Sequence, residues 1–366
     1  MKKLFFPALI ISLLFAACTN QPAANDGQSS DNAAPDTLRY EQEKYLKNLK
    51  QLTFGGDNAE AYFSFDNKLL TMQVTNEAWG TASCDQIFFM PITGTNGQRP
   101  PLVSTGKGKT TCSYFMPDNK HILYASTHLA ADTCLTAPRI VNGKYVWAVH
   151  KEFDIFVADL MGNITQQLTD SPGYDAEATV SPDGTKIVFT STRSGDLELW
   201  TMNIDGSDQR QVTNELGYDG GAFFTPDSKG IVFRASRPKT EEEIKTYKDF
   251  LAQGLVQPTD LEIFTCNLDG SNLRQVTNVG RANWAPYMHP KGHKILFASN
   301  HHSEGGRRFN IFSINTDGTG LEQVTFDDTF DSFPMFSFDG KYLVFSSNRH
   351  NGGTRDTNVF LAEWVE

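Results

Sequence analysis

Through most of the chain, β-branched and aromatic residues alternate with polar ones in short runs that Pro, Asp, Asn and Gly interrupt. Residues 173–214, GYDAEATVSPDGTKIVFTSTRSGDLELWTMNIDGSDQRQVTN, show the pattern in full. It predicts four antiparallel strands: Ala178 to Ser181, Lys186 to Ser191, Leu197 to Ile204 and Arg210 to Thr213. Between them lie a Pro182-Asp183-Gly184 turn, a loop at Thr192 to Asp196 and an Asp205-Gly206 turn, where Pro presets φ and Gly allows positive φ. One such sheet buries too little to stand alone, so copies must pack against each other.

The copies are present. The first turn recurs at Phe65-Asp66-Asn67, Pro117-Asp118-Asn119, Pro226-Asp227-Ser228, Pro290-Lys291-Gly292 and Phe338-Asp339-Gly340. A Q-[LV]-T signature recurs at Gln51 to Thr53, Gln167 to Thr169, Gln211 to Thr213, Gln275 to Thr277 and Gln323 to Thr325, with Leu102-Val103-Ser104 a weaker sixth. Six four-stranded units predict an all-β fold, a six-bladed β-propeller. The last unit ends on its third strand near Asn358 to Glu363, while an orphan Q-[LV]-T precedes the first. Pairing of Leu49 to Phe54 with the last blade as its outer strand would close the ring and remove its exposed edges.

The repeats are unequal. Extra chain falls between second and third strands, at Thr127 to Phe153 in blade 2 and Arg237 to Leu261 in blade 4, so one face of the disc is elaborated and the other, carrying the turns, is nearly bare. In the blade 4 insertion Thr240 and Glu243 have capping-box spacing. Ile244, Tyr247, Phe250 and Leu251 form one apolar stripe and Gly254 can end the helix, which predicts a short amphipathic helix over the elaborated face.

The motifs S-P-D-G-x-x-I-x-F-x-S-x-R and D-G-S-x-x-R-Q-V-T, in fixed order over Leu49 to Glu363, resemble the TolB-like or PD40 β-propeller repeats of bacterial envelope proteins. The resemblance implies the propeller fold and an envelope protein or peptide as partner. TolB itself carries a separate α/β domain before its propeller, whereas here a tether and the short segment Leu38 to Leu49 precede the repeats.

That leader has its own pattern. Lys2-Lys3, an apolar run from Leu4 and Ala16-Ala17-Cys18 have the layout of a secretory signal too short to span a bilayer. LLFAAC resembles a bacterial lipobox, which implies lipidation at Cys18 and a membrane-anchored lipoprotein facing the periplasm or the cell surface. Phe15 departs from the usual residue, and the alternative is an ordinary signal cut near Ala17. Residues 19–36 are polar and rich in Pro, Gly, Ser and Asn, the composition of a flexible tether. The expected organisation is a signal at 1–17, a tether at 18–37 and a monomeric propeller at 38–366. The net charge of −11, without a basic stripe, excludes a nucleic-acid partner.

Aligning the units stacks similar side chains on the elaborated face. Asn58, Thr110, Asp175, Asp219, Asn283 and Asp331 open the first strands. Two residues on, near the central channel, come Glu60, Cys112, Glu177, Gly221, Ala285 and Phe333. After the second strands come Asn76, His128, Arg193, Arg237, His301 and Arg349. The candidate binding set is Glu60, His128, Asp175, Glu177, Arg193, Asp219, Arg237, His301, Asp331 and Arg349, either braced against each other within blades or offered to a partner as a polar rim. Of the cysteines, Cys266 reads as a buried thiol, and Cys112 with Cys134 as a disulfide, with Cys84 to Cys134 the alternative. No G-x-S-x-G or H-E-x-x-H occurs and no cofactor or metal motif is present, which points to a non-catalytic binding protein. The alternatives are a carbohydrate-binding or oligogalacturonate-lyase-like propeller, and an accessory subunit of an envelope peptidase.

Overall fold

The computed structural model describes residues 37–81 and 84–366. Cys18, the signal and most of the tether lie outside them.

Each turn signature is a self-contained hydrogen-bond device. In the first, the hydroxyl two residues before Asp donates to its carboxylate, from Ser64 to Asp66 (2.7 Å), Ser181 to Asp183 (2.6 Å), Thr225 to Asp227 (2.6 Å) and Ser337 to Asp339 (2.7 Å). The same hydroxyl accepts the N–H that opens the next strand, as in Lys186 to Ser181 at 3.0 Å. In the second, the Thr hydroxyl accepts a third-strand N–H of its own blade: Ile155 to Thr169, Leu199 to Thr213, Ile263 to Thr277 and Ile311 to Thr325, all at 2.8–2.9 Å. The Gln side chain of the motif donates to the carbonyl of that Thr, at 2.8 Å in Gln167 and 2.7 Å in Gln211 and Gln275. Local side chains thus satisfy backbone groups that short strands leave open.

Six sheets result. Blade 3, Asp175–Val180, Lys186–Ser191, Glu198–Asn203 and Arg210–Gln211, has the four strands of the predicted unit, with the first starting three residues earlier and the third and fourth each two residues shorter. In blade 1 the outer strand shrinks to one bridge, Phe88 to Leu102, where Ser104 replaces Thr and accepts the Ile87 N–H at 2.9 Å. The ring closes as expected, three residues earlier in the chain: Leu46–Gln51 pairs antiparallel with Asn358–Trp364 as the outer strand of blade 6. Thr53 then accepts the Val359 N–H at 2.9 Å, the bond its counterparts make in other blades. Blade 1 treats this strand as its neighbour, since the Thr95 N–H donates to the Leu52 carbonyl at 3.1 Å. The core is the series of second-strand aromatics, Phe189, Phe233, Phe297 and Phe345 among them, buried between adjacent sheets.

The helix spans Glu241–Leu251, with the Thr240 and Glu243 capping box in place and Tyr247 and Phe250 buried. The two insertions are one structure. Trp147–Ala148 from blade 2 pairs with Leu255–Val256 from blade 4, and Phe250, Val146 and Leu255 form a small core between them. The disulfide joins Cys84 to Cys134, tying the blade 1 loop to this lid. The expected pairing of Cys112 with Cys134 is corrected: Cys112 is a free thiol, on an innermost strand at the channel.

Candidate functional site

The channel column is set by six backbone irregularities. In every blade the innermost strand shifts register beside this position. Glu60, Cys112, Glu177, Gly221, Ala285 and Phe333 all have positive φ, between 44° and 58°. Each is the extra residue of a bulge, turned toward the axis. For five non-glycine residues this conformation is strained, and such strain persists where surrounding structure enforces it.

Beneath the bulges Tyr62, Tyr114, Phe223 and Tyr287 meet in tilted and edge contacts 5.1–6.3 Å apart and plug the channel. What remains is a well that opens on the elaborated face. Its cavity is about 420 Å³, walled by the bulge residues and by Trp284 of the blade 5 innermost strand, and roofed by Val146, Trp147 and Ala148 of the blade 2 insertion. The two Trp rings lie 5.4 Å apart. Tyr145, 44% exposed, and Arg139 stand at the mouth.

One polar network spans the well wall. Glu177 accepts from Arg234 (2.8 Å), the Tyr218 hydroxyl (2.5 Å), the Gly221 N–H (2.6 Å) and Thr190 (2.9 Å). Burial raises its pKa, but the Arg234 charge and these bonds outweigh that and lower it overall. The two adjacent glycines make the network possible. A Cβ at Gly221 would lie 1.7 Å from Arg234 Nη1, and one at Gly220 would lie 2.4 Å from Glu177 Oε2. Glu60 is different. It has no basic residue in ion-pair contact among the described residues, the Cys112 thiol lies beside it on the next blade, and burial pushes its carboxyl up to about 7. Burial and the Glu60 charge likewise push the Cys112 thiol up.

The expected rim lies inside the blades. Asp175, Asp219 and Asp331 are buried. Arg193 pairs with Asp175 at 2.6 Å, Arg237 with Asp219 through two bonds, and Arg349 with Asp331 at 3.1 Å. The guanidinium groups lie over third-strand aromatics, Arg193 on Trp200 (5.0 Å), Arg237 on Phe264 (5.0 Å) and Arg349 on Phe360 (5.7 Å). His128 and His301 do the same on Phe156 and Phe312, at 4.4 and 4.5 Å, and burial lowers both pKa values. Arg349 is 1% exposed, so it offers no surface; Glu43, from the segment before the closing strand, covers it through two bonds of 2.9 and 3.0 Å. Of the candidate set, Glu60 and Glu177 alone reach the well.

Sequence reading missed Arg234 and Glu43. Arg234 had a signal, since it interrupts the apolar second strand GIVFRAS at the position directly opposite Gly220. Glu43 had none, because its partners lie about three hundred residues away in a non-repeating segment. On the turn face His289, His293 and Glu366 form a three-ligand grouping. There the His289 Nδ1 accepts the Lys291 N–H, which places its proton on the Nε2 facing Glu366, and Lys291 Nζ holds that carboxylate at 2.5 Å.

A family model described as the TolB beta propeller domain (PD40) matches residues 144–250. Among solved structures, one described as TolB from Agrobacterium tumefaciens is similar at TM-score 0.54 and 18% identity, over 85% of this chain and 91% of that one. TolB from Acinetobacter baumannii is similar at TM-score 0.50 and 18% identity, over 85% of this chain and 64% of that one. An oligogalacturonate lyase from Vibrio parahaemolyticus is similar at TM-score 0.52 and 11% identity, over 86% and 93%. At these identities the likeness to solved structures is one of fold. The TolB-like propeller read from the repeats is therefore the architecture of this chain.

Proposed function

We propose that this is a non-catalytic, lipid-anchored propeller of the bacterial envelope that binds a protein or peptide partner through the well on its elaborated face. The observation that carries the reading is the well itself: closed below by an aromatic plug, roofed by a lid built from two insertions, and lined by aromatic side chains together with the charged groups Glu60, Asp85, Lys109, Arg139, Glu177 and Arg234. A lid stapled by a disulfide holds such a surface ready, which lowers the ordering cost of binding. The partner is taken to be an envelope component, by analogy with TolB-like propellers. The lyase reading has fold likeness behind it; His128 and His301 stack on Phe156 and Phe312 inside their blades rather than facing the well.

Two experiments test this. With Tyr145 replaced by the photo-crosslinker p-benzoylphenylalanine, irradiation of whole envelopes is expected to yield a discrete cross-linked product, and the same residue at Lys341 on the turn face is expected to yield none. A product at Lys341 and none at Tyr145 would put the binding surface on the other face. For the anchor, only a thiol at the cleavage site takes the diacylglycerol, so Cys18→Ser is expected to move the protein from the membrane to the soluble fraction. Among the described residues no helix is long and apolar enough to cross a membrane. Wild-type protein that is soluble and begins after Ala17 without lipid would refute the anchor.

A further inference from the structure

We infer that the well recognises a primary ammonium group, with Glu60 as its counter-ion. The inference rests on the well being the recognition site and assigns the chemistry it selects. Among the described residues, the other carboxylates of the well are already occupied. Glu177 is used four times over by Arg234, Tyr218, Thr190 and the Gly221 N–H. Asp85 takes the Thr75 hydroxyl at 2.5 Å and Lys109 at 3.5 Å. Glu60 is the carboxylate in the wall left without a cation, and it is held there by a strained backbone with φ 51°.

Other ligand classes fit less well. An anion would have to settle among Glu60, Glu177 and Asp85, which line the same cavity, while Arg234 is held by Glu177 and Tyr218 with its unpartnered Nε sealed from solvent, Lys109 is paired with Asp85 and Arg139 stands at the mouth. A calcium ion would require six or more oxygen ligands, and the well offers one free carboxylate. A guanidinium carries five donors, and with Glu177 filled by Arg234, Tyr218, Thr190 and the Gly221 N–H, Glu60 is the single carboxylate left to meet them. An ammonium group needs one strong acceptor and gains from ring faces, which Tyr62, Trp147, Tyr174 and Trp284 supply around the cavity. Facing Glu60 from neighbouring elements are Cys112, Glu177, Arg234 and Asp85; of these the Cys112 thiol and the Arg234 charge favour its charged form, and Glu177 and Asp85 oppose it.

An amino terminus and a lysine side chain share this chemistry. The test titrates wild-type and Glu60→Gln protein with three probes: Ala-Phe-amide with a free amino terminus, its N-acetylated form, and Nα-acetyl-lysine amide. Calorimetry and tryptophan fluorescence report binding, since Trp147 and Trp284 line the well. At least one amine probe is expected to bind, the blocked peptide about tenfold to a hundredfold more weakly, and Glu60→Gln is expected to lose the same factor. Whichever amine binds identifies the source. At pH 7 binding is expected to release protons, because the ammonium favours the Glu60 carboxylate; in Glu60→Gln it is expected to release none, and at pH 8.5 a lysine-type amine releases none while an amino terminus, mostly neutral there, takes protons up.

Glu60→Gln is expected to fold. The native carboxyl holds its proton to about 7 against about 4.3 unfolded, so wild-type stability falls as pH rises through that window. The Gln variant lacks this loss, and Glu60→Asp, which keeps the charge, is expected to retain part of the binding. Equal binding of the blocked peptide, unchanged binding by Glu60→Gln, or no binding of either amine to wild type would overturn the inference. A cross-link at Tyr145 alongside such a failure would leave the well as the recognition site and reject the ammonium alone.

Discussion

A chain lacking residues 49–54 is expected to aggregate or to melt far below the full-length protein. Those residues close the ring. Leu49 and Leu52 are buried, Gln51 pairs with Phe360, and the Leu52 N–H and Thr53 hydroxyl bond to Val359 at 2.8 and 2.9 Å. Each lost hydrogen bond costs about 1 kcal/mol and each buried leucine about 2 kcal/mol or more. Against a total stability of about 5–15 kcal/mol that is a large share. The strand Asn358–Trp364 would also become an unpaired, largely apolar edge, a template for association between molecules. Size-exclusion chromatography and a thermal melt decide the matter. A monomer with an unchanged melting curve would mean that blade 6 is closed in another way.

Replacement of Arg349 by Met is expected to cost about 3–5 kcal/mol, the range for removing one partner of a buried ion pair. The reason is what remains behind: Glu43 and Asp331, both fully buried, would face each other without the guanidinium that neutralises them. Arg193 and Arg237 sit in equivalent places, but their side chains are 14% and 19% exposed and each serves a single acid. Their Met variants are therefore expected to lose less, as water can partly solvate the orphaned carboxylate. Adding Glu43→Gln to Arg349→Met is expected to recover part of the loss, because one buried charge goes with it. Denaturant midpoints measure all four variants. If Arg349→Met were no less stable than Arg193→Met, the pair with Glu43 would contribute nothing.

These variants also show why the arginine column was legible and its role was not. The column after the second strand repeats because its members perform the same local task, a cation or imidazole laid over the third-strand aromatic, with Arg193, Arg349, His128 and His301 also bonded to the Ser hydroxyl two residues before. Repetition alone cannot separate that task from ligand binding. The residue that departs from its column, Arg234 at the middle of its strand, was the better pointer to the site.

Blade number, strand order and ring closure were determined by sequence alone. The devices that specify them, the Ser-x-Asp turn and the Gln-x-Thr staple, act mostly within a few residues and within one blade, so they are written out each time they are used. The capped helix at Glu241–Leu251 was legible for the same reason. The well was decided by the tertiary structure. Its roof joins Trp147–Ala148 to Leu255–Val256, its staple joins Cys84 to Cys134, and its wall brings Arg234 to Glu177 across two blades. None of these pairs has a repeating register from which a partner can be read; each exists because closing the ring brings together segments that are distant in the chain. Glu60 is the limiting case, since having no ion-paired cation among the described residues is a property of the assembled wall that no single stretch of sequence contains.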